Sequence, residues 1–323
     1  MKLEDIGFYT LSDGRADNAC QTSNLYRCEL ILTSRCNFRC PYCRGAGGKD
    51  LSFIDAELVV RQWAADGLKN IRFSGGEPTL YDKLSDLCKL SRFLGIERVA
   101  VSTNGSATKD VYNKLLDNGV NDFSISLDAC CSEDSNQMSG GVKDFFDIIT
   151  TNIQQLSTQT YVTVGVVLTD TNKNTVNNIV SLANRLGVSD IRVIPAAQDG
   201  AYLSKIVVDS NIVAKYPILK YRLNNIQIGR PIRGLREGDA RQCGLVLDDM
   251  VVSQNNHYPC IIYMREGGQA IGSTNANMRS ERQAWYEKNN TFCDPICRSN
   301  CLDVCVDYNN RFAINNSNAL KLN

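Results

Sequence analysis

A single histidine, His257, stands in 323 residues, and that scarcity removes several chemistries at once. A histidine-built metal site, a catalytic triad or an imidazole proton relay each needs what this chain lacks, so His257 is read as a turn residue. Net charge is missing too: 35 basic residues meet 35 acidic ones, leaving no global field to draw in nucleic acid or an anionic membrane. No apolar run reaches the roughly 18 residues of a membrane span, and Met1-Lys2-Leu3-Glu4-Asp5 lacks the charged-then-apolar order of a secretory signal. The expectation is a soluble, cytoplasmic protein without membrane or nucleic-acid partners.

Cysteine, by contrast, is plentiful, with 14 copies. Without an export signal, that many thiols indicate metal ligation rather than a disulfide framework. Cys36, Cys40 and Cys43 form C-x3-C-x2-C on a loop leaving the apolar strand Glu29-Leu30-Ile31-Leu32-Thr33. Three thiolates can hold three irons of a [4Fe–4S] cube and leave the fourth open to a small chelate. A structural zinc site or three buried structural thiols are the alternatives, although zinc normally completes four ligands.

From residue 26 apolar runs alternate with helical periodicity, which predicts right-handed βαβ units and a parallel sheet. Six strands are expected at 27–33, 69–73, 97–102, 121–127, 160–168 and 189–195, with helices near 55–66, 80–93, 108–117, 143–157 and 174–186. The first helix is expected to use Asp55 as its N-cap and to bury Leu58, Val59 and Trp63. Polar groups fall at the strand ends: Ser74-Gly75-Gly76-Glu77, Ser102-Thr103-Asn104-Gly105 and Ser126-Leu127-Asp128-Ala129. Gly75 and Gly76 allow close approach of backbone to a ligand, and Glu77 offers a carboxylate to an ammonium group.

The cysteine motif, with Tyr42 just before its last thiol, together with Phe73-Ser74-Gly75-Gly76-Glu77-Pro78, resembles the signature of the radical S-adenosylmethionine enzymes. The resemblance implies an open partial (β/α)6 TIM-like barrel, a [4Fe–4S] cluster on Cys36, Cys40 and Cys43, and S-adenosylmethionine as cofactor. It also implies that Gly75, Gly76 and Glu77 grip the methionine amino group, that Ser102, Asn104, Ser126 and Asp128 reach ribose or carboxylate, and that Tyr42 and the backbone of Ile194-Pro195 lie near adenine. The implied chemistry is reductive cleavage to a 5′-deoxyadenosyl radical and abstraction of a substrate hydrogen atom, with an electron donor such as flavodoxin or ferredoxin.

Four regions are expected: an arm or hairpin over 1–25 under the barrel, the barrel over 26–200, a linker over 201–242, and a cysteine-rich domain over 243–323. The linker holds a bracing helix, within 203–227 and broken at Pro217, and an arginine-rich loop whose Arg230, Arg233, Arg236 and Arg241 suggest a clamp for a carboxylate or phosphate. The last region holds Cys243, a β-hairpin ending Tyr258-Pro259-Cys260, and Cys293, Cys297, Cys301 and Cys305. It resembles the SPASM/twitch auxiliary-cluster domain of the same family, with Asn255 where the family's hairpin carries glycine. Six thiols favour one auxiliary [4Fe–4S] cluster over two; a zinc ribbon is the alternative. Of the other five, Cys20, Cys28 and Cys88 read as packing residues, whereas Cys130 and Cys131 at the fourth strand end are candidate hydrogen-atom donors.

Three functions compete on this reading. The first is an oxidoreductase or isomerase modifying a peptide by crosslinking, epimerisation or oxidation. The second keeps the radical start but acts on a small molecule such as an amino sugar or nucleotide, which the arginines favour. The third is a non-catalytic iron–sulfur electron carrier or sensor.

Overall fold

The computed structural model describes residues 2–7, 11–45, 48–197 and 206–319, with side chains to residue 315. Six parallel strands appear where the periodicity places them: β1 (Arg27–Thr33), β2 (Asn70–Gly75), β3 (Arg98–Thr103), β4 (Asp122–Ser126), β5 (Tyr161–Leu168) and β6 (Asp190–Pro195). Between them run α2 (Phe53–Ala65), α3 (Leu84–Phe93), α4 (Lys109–Asp117), α6 (Phe146–Ser157) and α7 (Val176–Arg185), preceded in the chain by α1 (Asp13–Asn18) and with α5 (Ser132–Met138) inserted before α6. A further parallel strand, β7 (Asp249–Ser253), pairs with the free edge of β1, and β8 (Asn256–Tyr258) and β9 (Gly272–Ser273) continue antiparallel. The sheet order is therefore β6-β5-β4-β3-β2-β1-β7-β8-β9.

Alternation along the strands sorts the two faces. Cys28, Leu30, Ile71, Phe73, Val99, Val101, Phe123, Ile125, Val162 and Val164 join one apolar core with Val59, Val60, Trp63, Leu87, Tyr112 and Ile153 of the helices. The opposite, concave face carries Glu29, Arg72, Ser74, Ser102, Ser124 and Arg192. These are linked across strands by Ser74 Oγ–H to Glu29 Oε1 (2.7 Å), Arg72 Nη1–H to Ser102 Oγ (2.8 Å) and Arg192 Nη2–H to Ser124 Oγ (3.2 Å). A closed TIM barrel fills this space with branched apolar side chains; here it is polar and lined by small hydroxyls.

Several local expectations change. Ser52, not Asp55, caps α2: its Oγ accepts from Asp55 N–H at 3.1 Å, because Phe53 already starts the helix. Leu58 is 60 % exposed while Val59 and Trp63 are buried, so the apolar stripe lies one residue round from where it was drawn. Among its described residues the N-terminal stretch forms no hairpin; its Asp13-Gly14 and Asp17-Asn18 lie in α1, capped by Ser12. Leu3, Ile6, Leu11 and Ala16 pack with Leu245, Val246, Val304, Tyr308 and Phe312 in a second core, so the arm is built into the C-terminal region. The arm also meets the barrel's underside, where a Cβ on Gly7 would lie 3.0 Å from Pro217 Cβ and 3.4 Å from Asp190 Oδ2 at the start of β6.

The βα rhythm continues past Pro195. After α8 (Ser210–Val213) the chain breaks at Pro217, as expected, and α9 (Pro217–Gln227) packs on β6 as the sixth covering helix; positions 203–205 of the expected helix lie outside the described residues. The C-terminal region adds α10 (Ile261–Arg265), α11 (Met278–Lys288), α12 (Pro295–Asn300) and α13 (Asp303–Ala319). It is riveted to α9 by the fully buried Arg222–Asp303 ion pair, with Asn225 Nδ2–H donating to Asp303 Oδ2 at 2.7 Å. Breaking such a pair typically costs about 3–5 kcal/mol. The β7–β8 hairpin forms as expected, but Gln254, with φ 53°, takes the left-handed position assigned to Asn255.

His257 is no turn residue. It sits on β8, fully buried, with Nε2 2.8 Å from Glu281 Oε2 and Nδ1 3.5 Å from Arg282 Nη1. A guanidinium only donates, so Nδ1 accepts and the Nε2–H faces Glu281. Burial pushes the imidazole down to about 4, so it is neutral near pH 7.

Candidate active site

The loop carrying Cys36, Cys40 and Cys43 is gripped from two sides. On one, Gly76 N–H donates to Thr33 O (2.7 Å) and Glu77 N–H to Arg35 O (2.8 Å). A Cβ on Gly75, whose φ is +147°, would lie 2.3 Å from Thr33 O, and one on Gly76 2.3 Å from Arg35 O. The two glycines are thus required for the β1 and β2 exits to touch. On the other side Arg39 N–H donates to Ser139 O (2.8 Å), and a Cβ on Gly140 would lie 2.2 Å from Arg39 O. Phe38 packs edge-on against Phe145, ring centroids 5.4 Å apart.

Cys36 and Cys43 are exposed and Cys40 is half-buried. Burial raises the Cys36 thiol and pushes Cys40 up to about 11, so metal binding must displace protons. Backbone N–H groups point at two of the sulfurs, Phe38 at Cys36 (3.4 Å) and Gly45 at Cys43 (3.3 Å). Such bonds tune iron–sulfur clusters.

The structure redirects Glu77. Its carboxylate is fully buried and accepts from Thr79 N–H (3.1 Å), Thr79 Oγ1–H (2.7 Å), Thr103 Oγ1–H (2.7 Å) and Asn104 N–H (2.7 Å). With four donors already on two oxygens, it ties the β2 and β3 exits together instead of facing an ammonium group. Asn104 does reach the cysteine loop: its Nδ2–H donates to Asn37 Oδ1 (2.8 Å) and lies 4.0 Å from Cys36 Sγ. Tyr42 donates its hydroxyl to Asp128 Oδ2, and Asp128 also accepts from Val167 N–H (2.6 Å). Burial raises that carboxyl to about 6. Ser102 accepts from Arg72, and Ser126 is exposed at the end of β4.

Three supporting residues escaped the sequence reading. Asn37 bridges Asn104 and Ser106; Asn172, buried, donates to Asp128 O and Val167 O, both at 2.9 Å; and Gly140 seats Arg39. Isolated Asn and Gly in turns carry no signal that separates these roles from ordinary turn chemistry.

The C-terminal thiols sort themselves. Cys243, Cys260, Cys297, Cys301 and Cys305 line one apolar cavity with Leu245, Ile262, Tyr263 and Trp285, whereas Cys293 is exposed and not among its lining residues. Cys293, expected as a ligand with the others, thus stands apart from these five, in the turn before α12. Burial pushes Cys260 up to about 12 and raises Cys297, Cys301 and Cys305 as well. An all-thiol donor set in an apolar wall suits soft iron or zinc. A single tetrahedral zinc with Zn–S of about 2.3 Å draws its sulfurs to about 3.8 Å of one another. Among the described residues, only Cys130, Cys131 and Asp134 bring three ligand atoms within 4.8 Å of one another. Neither cysteine-rich site brings three ligand atoms that close among the described residues.

The four arginines do not act as one clamp. Arg230 is committed to Asp307 (2.6 and 3.0 Å), Arg236 and Arg241 are exposed, and Arg241 lies over the Phe292 ring. Arg233 alone turns to the barrel, donating Nε–H to Pro195 O at 3.2 Å. Cys28 and Cys88 are fully buried packing residues, Cys20 is exposed, and Cys131 is exposed beside half-buried Cys130. No helix among the described residues is long and apolar enough to cross a membrane.

Comparison with known proteins is consistent with this geometry. Curated relatives include a "Probable GTP 3′,8-cyclase" of Metallosphaera sedula, 28 % identical over 172 residues covering 51 % of this chain and 54 % of the relative. A "GTP 3′,8-cyclase" of Staphylococcus carnosus is 37 % identical over 116 residues, 32 % of this chain and 34 % of the relative. The matches thus span about half the length of these relatives or less. Among solved structures, SuiB of Streptococcus suis superposes with a TM-score of 0.59 at 17 % identity, covering 82 % of this chain and 66 % of that one. The protein anSMEcpe with bound AdoMet gives 0.58 at 15 %, covering 91 % and 98 %. At these identities the superpositions speak to fold alone. Residues 30–183, from β1 through most of α7, match the model of the Radical SAM superfamily.

Proposed function

We propose that this chain is a radical S-adenosylmethionine enzyme whose catalytic cluster is held by Cys36, Cys40 and Cys43. The observation that carries the reading is the loop itself: three thiols, two of them exposed, clamped through Gly75, Gly76 and Gly140 at the C-terminal mouth of a parallel half-barrel. A [4Fe–4S] cluster with S-adenosylmethionine supplies one-electron reductive cleavage of the sulfonium and, through it, hydrogen-atom abstraction from a substrate. The chain's own part is positioning. Asp128 fixes Tyr42 beside the loop, Glu77 and Asn104 hold the β2 and β3 exits against it, and the backbone of Gly75 and Gly76 forms the floor on which the methionine end is expected to rest.

The five half-buried thiols that line the apolar cavity are proposed to hold one auxiliary [4Fe–4S] cluster in a SPASM/twitch-type arrangement, four of them as ligands. Flavodoxin or ferredoxin is the proposed class of electron donor. Cys130 and Cys131 are the proposed thiols for returning a hydrogen atom if the reaction is an epimerisation; deuterium from solvent in the product supports that role, and its absence points to oxidation or crosslinking.

Two substrate classes have specific support. SuiB has been solved with its precursor peptide SuiA, and anSMEcpe with a peptide, which favours peptide modification. The curated relatives are GTP 3′,8-cyclases, which favours a nucleotide, and the cationic concave face of this sheet adds to that side. We adopt the small anionic substrate as the better supported reading. Anaerobic reconstitution with iron, sulfide, dithionite and S-adenosylmethionine tests the enzyme class. Formation of 5′-deoxyadenosine is expected; intact clusters with none formed would instead indicate an electron carrier or sensor.

A further inference from the structure

Two adjacent thiols and a carboxylate gather where the chain leaves β4. Cys130 and Cys131 follow the strand end, and Asp134 lies in the first turn of α5. One ligand atom from each stands within 4.8 Å of the other two.

Local structure does not account for their meeting. Cys131 is the N-cap residue of α5 and Asp134 its third residue, the positions from which a capping box ties two hydrogen bonds, yet the Cys131 side chain makes no cap bond. Among the described residues no arginine, lysine or backbone N–H is paired with the Asp134 carboxylate. The backbone that presents the three groups is pinned on both sides. Before them, Asn172 Nδ2–H donates to Asp128 O (2.9 Å) and Val167 N–H to Asp128 Oδ1 (2.6 Å). After them, Ser135 N–H donates to Cys131 O (3.0 Å) and Ser139 N–H to Ser135 O (2.9 Å). Ligands held by ordered backbone lose little freedom when an ion arrives.

The donor set selects the ion. Thiolates favour zinc over magnesium or calcium, which take oxygen ligands. Tetrahedral zinc with Zn–S of about 2.3 Å sets its sulfurs about 3.8 Å apart, so atoms no more than 4.8 Å apart close on it by shifting about 1 Å or less. Three protein ligands leave the fourth position to water, and Cys131 is exposed to it.

We propose that Cys130, Cys131 and Asp134 bind one zinc ion, separate from both iron–sulfur sites. The ion ties the exit of β4 to the start of α5. The far end of α5 seats the cysteine loop, where Arg39 N–H donates to Ser139 O at 2.8 Å, so zinc stiffens the wall on which the segment between Cys36 and Cys40 rests. A zinc-bound thiolate has no S–H to give, so a loaded site rules out the hydrogen-atom role assigned to these thiols in an epimerisation. The site stands on the fold alone and holds whether or not the chain cleaves S-adenosylmethionine.

The test counts metal. The anaerobically reconstituted full chain is mixed with one equivalent of zinc sulfate, desalted and assayed for zinc and iron by mass spectrometry, and zinc affinity is read by competition with a chromophoric chelator. One zinc per chain is expected, with iron unchanged. C130S and C131S should lose the zinc, and D134N should weaken it by about tenfold or more, since even groups that only orient a metal ligand are worth about 10–100-fold. C20S and C293S, at exposed thiols outside the trio, should bind zinc as wild type does. Iron content and cluster absorbance equal to wild type show that each variant is folded. No zinc in wild type, iron in the site in its place, unchanged zinc affinity in C130S, C131S or D134N, or loss of zinc in C20S or C293S each overturns the proposal. Formation of 5′-deoxyadenosine by wild type is measured alongside, so that this inference and the enzyme reading fail separately.

Discussion

The two cysteine-rich regions use the same ligand atom in opposite surroundings. Around Cys36, Cys40 and Cys43 the wall is polar: Asn37, Asn104, Tyr42 and Asp128 approach through hydrogen bonds, and two thiols are exposed. Around Cys243, Cys260, Cys297, Cys301 and Cys305 the wall is apolar and the thiols are withdrawn. Open coordination needs access and orienting polar groups, whereas a closed cluster needs shielding and a complete ligand set. On this contrast the first region is where a small molecule is expected to meet iron, and the second is proposed to hold structure or pass electrons.

The largest effect that sharpens this contrast is replacement of Cys36, Cys40 and Cys43 together by alanine. Formation of 5′-deoxyadenosine should fall to background while iron bound by the C-terminal thiols persists; loss of all iron would erase the distinction. Acid should attack the C-terminal side first. His257 has its folded value, about 4, below the ordinary 6.5, so the stability it contributes is complete above 6.5 and is lost as pH falls toward 4. That amounts to about 3 kcal/mol. The urea midpoint should drop between pH 7 and 4.5 in wild type, and by less in His257→Gln.

A smaller change is expected from Gly140→Ala. The new Cβ would meet Arg39 O at 2.2 Å from a backbone at φ +79°, a strain of about 1–3 kcal/mol, which should lower product formation and S-adenosylmethionine affinity without releasing C-terminal iron. Smallest is Cys293→Ser. Iron content and activity should stay within error, whereas Cys301→Ser should lower the iron count; equal loss from both would return Cys293 to the ligand set.

Much of the barrel was legible because period-two and helical patterns report burial directly. The runs through Val99, Val101, Val162 and Val164 gave strand positions to within a residue or two. The motif cysteines and glycines were legible because few other residues fit their tasks. What stayed hidden depended on contacts distant in sequence. That β7 would add to β1, more than two hundred residues earlier in the chain, has no local mark, nor does the packing of Leu3 and Ile6 with Tyr308 and Phe312. Glu77 was misread for a related reason: a carboxylate next to two glycines at a strand end looks like a ligand grip until Thr79, Thr103 and Asn104 are seen to occupy it. The arginine run misled because proximity in sequence is not convergence in space: Arg230 turns to Asp307 and Arg233 to Pro195, while Arg236 and Arg241 are exposed.

The contrast between an open and a closed site is tested most directly by electron paramagnetic resonance of the dithionite-reduced, fully reconstituted chain before and after adding S-adenosylmethionine. The account predicts two overlapping reduced-cluster signals, one of which changes on addition, and that one is missing in the Cys36, Cys40 and Cys43 triple variant. A spectrum that does not respond to S-adenosylmethionine, or a response that survives in the triple variant, would contradict it.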